Sequence, residues 1–426
     1  MHPYFRTVSA GSSQPFVDGR FTVCCQLRAA SYLSPGGVSQ PVETRRPSRL
    51  NALTGLRCFA AVNIVLFHFA NPNWFDFRYD FRLPVFSEPT LHFKLLLAPV
   101  VNAGYVAVSY FILLSGYVLA YNYNAKARAG QLEKKRFWKA RFSRIYPIYL
   151  LSLLLAWGQL PKEYASHTHG MFWAGVVLTP LLLQGWIPAI ATFVNTPAWT
   201  MSAEAFYYFI FPWIAAWKET KRLSTLLWKM AGIWMLGLVP GALYMVFNPD
   251  GIPHPDRYSY GIWLWALKYT PYAHIFSFIF GVMLADLNGM IAHESRLRLW
   301  LAVGGFAGIY GLLSLGPLVP YAIIHDGLLM PLFACIVLGL SGENVLARAI
   351  GCRALVFIGM SSYSLYLLHF NMWNLLHASH VLNFLGLIRF DPWISYVLLI
   401  GMALLALYTI EKPAQSQLRK WMNANT

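Results

Sequence analysis

From residue 53 to residue 411 the chain alternates between long apolar runs and short polar connections. The runs are 53–70, 104–123, 145–160, 199–217, 227–247, 262–285, 297–314, 326–340, 355–376 and 393–411. A helix needs about 20 apolar residues to cross the hydrocarbon of a bilayer. Backbone placed there must satisfy its own hydrogen bonds, which leaves helices or a closed barrel. The pattern therefore predicts an all-α polytopic membrane protein with ten spanning helices. Residues 171–187 are apolar as well, but they are short and contain Pro180. If they crossed, every later basic loop would change sides. They are expected to form a re-entrant or half-helix segment, sheltered by protein.

Charge supports this class and sets an orientation. Only 12% of residues are charged, against roughly 25% in soluble domains, and 57% are apolar. The chain carries 33 Lys and Arg against 17 Asp and Glu. The cations gather in connections: residues 126–144 hold eight basic residues and one acid, and residues 218–229 hold four and one. That is the positive-inside pattern, not a nucleic-acid surface. Placing these loops in the cytoplasm puts both termini there. The loops near 71–92, 248–260 and 377–392 then face outward.

Residues 1–49 hold six Arg and two acids among Pro, Gly and Ser, with no apolar signal core. They read as a flexible basic tail; residues 50–420 form the membrane domain and 421–426 a C-terminal tail. The five cysteines (Cys24, Cys25, Cys58, Cys335, Cys352) have no metal-ligand spacing, so free thiols and no metal are expected.

Ionisable groups inside apolar helices are costly and mark candidate sites. Arg57 and His68 lie eleven residues apart in the first run, which puts them on one helix face about 16 Å apart. An anion can reach Arg57 at the cytoplasmic mouth, and a neutral His68 can act as a general base. A snorkelling Arg and a helix-bridging His fit equally well. In the second run, Ser115-Gly116-Tyr117 offers a hydroxyl, but no base is visible beside it; close helix packing at Gly104 and Gly116 is the simpler account. Arg141 and Arg144 fall on one face of a helix start and suit phosphates, although a basic loop also binds lipid headgroups. Glu204 lies inside the run opened by Trp199, where it is paired or protonated; with His68 and Arg57 it is a candidate catalytic residue, placed to orient His68 or to bind a hydroxyl-rich acceptor. Tyr366 and His369 share a face late in the chain, as part of a site or of a polar packing seam. Glu411-Lys412-Pro413 closes the last run, with Pro413 as its stop.

The order of these motifs is more specific than any one of them. Arg57-x10-His68, Ser115-Gly-Tyr117, Arg141-x-x-Arg144-Ile-x-Pro147, Trp199-Thr-Met-Ser-x-Glu204, Ser362-Tyr-Ser-Leu-Tyr366-Leu-x-His369 and the final Glu-Lys-Pro together resemble the acyltransferase-3 family of integral-membrane O-acyltransferases. The resemblance covers about residues 50–420. It departs at Tyr117, where members often have Phe, and at Asn63, in a stretch that is usually apolar.

The resemblance implies transfer of an acyl group, usually acetyl, from cytoplasmic acetyl-CoA or another acyl-CoA. The acceptor would be a hydroxyl on a glycan, glycolipid or small molecule, and the location the inner membrane. It implies His68 as the base, Arg141 and Arg144 as donor-handling residues with Arg57 beside them, and Glu204, Tyr366 and His369 as further motif positions. Ser115 and Tyr117 stand as supporting residues. No esterase-like domain follows, which argues against a large surface polysaccharide. Two rivals carry the same residues. A proton-coupled transporter or flippase also buries Arg, His and Glu, though no internal repeat is visible. A sensor or scaffold would tolerate their loss.

Overall fold

A computed structural model describes residues 50–69, 97–378 and 380–424. The expected N-terminal tail, the loop at 71–92 and residues 425–426 lie outside the described residues. The described chain is helical, with no strand among those residues.

Helices of eight residues or more are numbered here in chain order. They are α1 (Asn51–Phe69), α2 (Val106–Arg128), α3 (Lys134–Leu155), α4 (His169–Leu178), α5 (Trp199–Ala215) and α6 (Leu223–Phe247). Then come α7 (Ile262–Tyr269), α8 (Pro271–Met290), α9 (Arg296–Ser314) and the bent pair α10 (Tyr321–Leu328) and α11 (Met330–Leu340). The chain closes with α12 (Arg353–Met360), α13 (Ser362–Ala378), α14 (Trp393–Ala406) and α15 (Lys412–Ala424).

Six stretches are long and apolar enough to cross a membrane: α1, α2, α6, α7 with α8, α9, and the run from α14 into α15. The α10–α11 pair, bent by 40°, makes a seventh if counted as one span. The other runs expected to span differ for a physical reason. Helices α5 and α13 have 17 residues each, and α3 begins with four cations in its first six residues. All three carry polar groups into the protein interior. A helix enclosed by other helices need not be apolar on every side. Residues 171–187 form no long helix. Helix α4 stops after ten residues, and the chain continues in single 3-10 turns to Trp199.

Two further expectations change. Arg141 and Arg144 lie well inside α3, not at a helix start, because the helix begins at Lys134. Pro413 does not end the last helix. A π turn at Leu407–Glu411 precedes it, so the helical run continues from α14 through Pro413 into α15, and the widened turn accommodates a residue that lacks an N–H. Helix α15 packs on α3, and Lys139 Nζ donates to the Met422 carbonyl at 2.7 Å.

The core is organised about α2 and α8, whose backbones nearly touch. A methyl group on Gly116 would lie 2.2 Å from the Phe278 carbonyl oxygen, and one on Gly281 would lie 2.0 Å from that of Leu113. Small residues permit this approach where no hydrophobic force drives helices together in lipid. Gly281→Val is therefore expected to cost about 3 kcal/mol or more, because backbone cannot yield as a side chain can. The measurement is the melting temperature of the purified protein in detergent, and an unchanged value would contradict this packing.

Candidate active site

Five helices send polar side chains to one cavity of about 220 Å³. Arg57 comes from α1, Ser115 from α2, Arg141 and Arg144 from α3, Glu204 and Tyr208 from α5, and Tyr366 from α13. Each sits where helix periodicity puts it. Arg141 and Arg144 are three residues apart, and Glu204 and Tyr208 four apart, so each pair shares a helix face.

The guanidinium groups are unevenly engaged. Arg141 Nη2 donates to the Tyr123 hydroxyl at 2.9 Å, and its charged carbon lies 5.4 Å from the Tyr123 ring centre and 5.6 Å from that of Phe137. Its Nε is buried without a hydrogen-bond partner. Among the described residues neither Arg57 nor Arg144 joins a close ion pair. Three cations with spare donors around one half-buried cavity make a receptive anion site.

The carboxylate beside them is on α5. Ser115 Oγ donates to Glu204 Oε1 at 3.4 Å, and the Tyr208 hydroxyl donates to the same oxygen. The sequence showed no base near Ser115; the fold supplies a carboxylate from 89 residues away. Tyr208 was not anticipated as part of the site. Its only signal was the four-residue spacing from Glu204.

The histidines form a second group at the C-terminal end of α1. The His68 and His369 ring centres are 5.3 Å apart. His68 is exposed and His369 fully buried. His369 Nδ1 donates to the Tyr366 carbonyl at 2.5 Å. A carbonyl only accepts, so Nδ1 carries the proton and Nε2 presents a lone pair when the ring is neutral. That Nε2 is buried with no partner. Phe370 lies 4.8 Å from each imidazole, and Phe69 stacks on Trp373 at 4.2 Å.

Helix α1 is unbroken from Asn51 to Phe69, so the eleven residues between Arg57 and His68 separate the two groups by about 16 Å. Tyr366 connects them, since it lines the cavity while its carbonyl holds His369.

One expected residue sits elsewhere. Tyr117 is fully buried, away from the cavity, with its hydroxyl 2.8 Å from Ser341 Oγ. Glu411, in the final Glu-Lys-Pro, is buried, and its Oε2 accepts from Ser364 Oγ at 2.5 Å. Asn63, polar within an apolar run, donates to the Val100 carbonyl at 3.1 Å. Of the cysteines, Cys58, Cys335 and Cys352 are free thiols, whereas Cys24 and Cys25 lie outside the described residues. Among the described residues no three His, Cys, Asp or Glu side chains converge as metal ligands would.

The chain is similar to known proteins over most of its length. The acyltransferase-3 family model, described as an acyltransferase domain, matches residues 50–412. A protein named acyltransferase MdmB, from Streptomyces mycarofaciens, is 30% identical over 343 residues, spanning 76% of this chain and 79% of that protein. Protein 2 in the picA locus of Rhizobium radiobacter is 47% identical over 53 residues, which is 12% of this chain and 28% of that one. No solved structure matches.

Proposed function

Because this chain belongs to the acyltransferase-3 family and is an acyltransferase, we propose that it moves an acetyl group from cytoplasmic acetyl-CoA to an acceptor hydroxyl, with His68 as the base. The acceptor is a sugar, a glycolipid or another hydroxyl-bearing small molecule that arrives from the opposite face of the inner membrane. The observation that carries this reading is the pairing of a three-arginine cavity at one end of α1 with two imidazoles at the other.

The chemistry follows from that pairing. The phosphates of the donor bind Arg57, Arg141 and Arg144 through charge-assisted hydrogen bonds. The pantetheine arm, comparable in length to the Arg57–His68 separation, runs past Tyr366 towards His68. His68 takes the proton of the acceptor hydroxyl as its oxygen attacks the thioester carbon. The tetrahedral intermediate collapses, the carbon–sulfur bond breaks, and the CoA thiolate leaves and is protonated. His369 packs beside His68, fixed in one tautomer by the Tyr366 carbonyl, and positions it. Basic loops in the cytoplasm, ten crossings and both termini inside complete the topology.

The test is transfer of label from [14C]acetyl-CoA in membranes that contain the protein, against membranes that lack it. Label moving into a hydroxyl ester only with the protein supports the reading; no labelled ester in any fraction goes against it.

Glu204 gives a sharper check on the donor cavity. A carboxylate amid three guanidiniums opposes an incoming phosphate. One unit charge at about 4 Å in high dielectric is worth about 1 kcal/mol, or about fivefold in affinity. Glu204→Gln keeps an acceptor for Tyr208 but removes the charge, so KM for acetyl-CoA should fall about fivefold. A rise in that KM would contradict the assignment.

A further inference from the structure

We infer that a second and larger cavity, at the His68 end of α1, is the acceptor subsite, and that it takes an uncharged hydroxyl-bearing small molecule with broad apolar faces. This rests on the acyl-transfer reading above and extends it to the second substrate.

The cavity has a volume of about 610 Å³. It lies under the loop at 248–260, between the start of α2, the end of α6 and the start of α10. Clefts and cavities of about 300–1,000 Å³ hold drug-sized ligands.

Its position ties it to the proposed base. Phe67 precedes His68 in α1, and their ring centres are 4.8 Å apart. On its other side Phe67 meets Tyr105 at 5.8 Å and the Arg257 guanidinium at 4.8 Å. Tyr105 and Arg257 both line the cavity. One aromatic ring therefore separates the cavity from the imidazole, and a hydroxyl that passes its edge reaches His68. The donor cavity lies at the other end of the same helix, so the two substrates approach the acyl carbon from opposite ends.

The lining decides the ligand class. Tyr105 and Tyr321, with ring centres 5.0 Å apart, offer flat faces for rings or sugar C–H groups. Ile252, Val319 and Ile324 add aliphatic wall. The ionic groups nearby are already committed. Asp256 Oδ1 accepts from Tyr258 N and Ser259 Oγ at 2.9 and 2.7 Å. The Arg257 guanidinium is sandwiched against the Phe67 and Tyr258 rings and donates to the Tyr258 hydroxyl. Asp256 and Arg257 offset one another in charge, and His254 is the other titratable side chain in the lining, so no excess of carboxylates or guanidiniums selects an ionic ligand.

The roof is held in place from below. Lys268 is buried, and its Nζ donates to the carbonyls of Asp256, Arg257 and Ser259 at 3.3, 3.4 and 3.1 Å. A buried ammonium needs such partners, so the loop keeps one shape and the cavity is preformed.

The experiment uses the full-length protein in its membranes, [14C]acetyl-CoA and an extract of the source cells as the acceptor supply. Label is separated into butanol-extractable small molecules and polymer retained on dialysis. Two cavity-filling variants, Val319→Trp and Ile252→Trp, block it from opposite walls, so a folding defect in one leaves the other informative. The expected result is label in the extractable fraction, lowered about tenfold or more in both variants, with KM for acetyl-CoA unchanged. Label in retained polymer, or wild-type rates in a folded variant, overturns the subsite. Failure of the acyl-transfer reading looks different: no labelled ester from the wild-type protein at all.

Discussion

Membranes that carry His68→Ala at wild-type levels should transfer no acetyl label above background. A general base contributes about 10² to 10⁴ in rate, and among the described residues the imidazole packed beside His68 is that of His369. That residue is committed through Nδ1 to the Tyr366 carbonyl and is fully buried, so it cannot replace a ring that reaches an incoming substrate. The fold should survive the change. His68 is exposed at the end of α1, and its partners are aromatic rings that pack on one another, as Phe69 does on Trp373. Abundance in the membrane and elution as a single species in detergent check that point. Turnover equal to wild type, at equal expression, would remove His68 from the mechanism and return weight to the transporter alternative. His369→Gln separates the two imidazoles. A positioning residue should lower kcat and shift the pH profile of the remaining activity, with the KM for acetyl-CoA left alone.

Arg141→Ala combined with Arg144→Ala should lower kcat/KM for acetyl-CoA by about a hundredfold or more. Hydrogen bonds to charged groups are worth about 1.5–3 kcal/mol each, and each 1.36 kcal/mol is tenfold. The loss should fall on the donor, with the acceptor KM little changed. The single variants need not be equal. Arg141 also rests on the Tyr123 and Phe137 rings and bonds the Tyr123 hydroxyl, so its removal disturbs packing. Arg144 has no such ties among the described hydrogen bonds, and Arg144→Lys should recover part of the donor affinity by charge alone. A double variant that bound acetyl-CoA as wild type does, by equilibrium dialysis, would mean that these residues hold lipid headgroups instead.

Both expectations concern residues that stood out as candidates before any fold was known. Arg57, His68 and Glu204 are charged or titratable groups inside apolar runs, where cost alone makes them conspicuous, and Arg141 and Arg144 stood out by their three-residue spacing in the basic stretch 126–144. Tyr208 was not visible in this way, because tyrosine is common in a chain with 24 of them. Ser115 was visible, but its partner was not, since Glu204 is 89 residues distant and on another helix. Tyr117 was expected near the site and lies instead against Ser341. The motif shared by Ser115, Gly116 and Tyr117 spans two faces of α2, one turned to the cavity and one to the core. The run 199–217 begins with α5 and outlasts it by two residues, whereas the run 355–376 divides at Ser361 into α12 and α13, a break that hydropathy does not register.

The sequence by itself determined the solvent and the class of fold. A long series of apolar runs with cations between them can satisfy its backbone only as helices in a bilayer, and the order of the polar residues on those helices marked the family. Only the tertiary structure decided which polar residues meet. Arg57 and His68 are bound to their separation by the rise of one helix, and any chain with this spacing would have it. The convergence of α1, α2, α3, α5 and α13 on one cavity depends on contacts between distant segments, such as the near-touching backbones at Gly116 and Gly281. The larger cavity beside Phe67 is assembled from four separate stretches and a loop held by Lys268. No local pattern encodes it, because its walls become neighbours only when the helices pack.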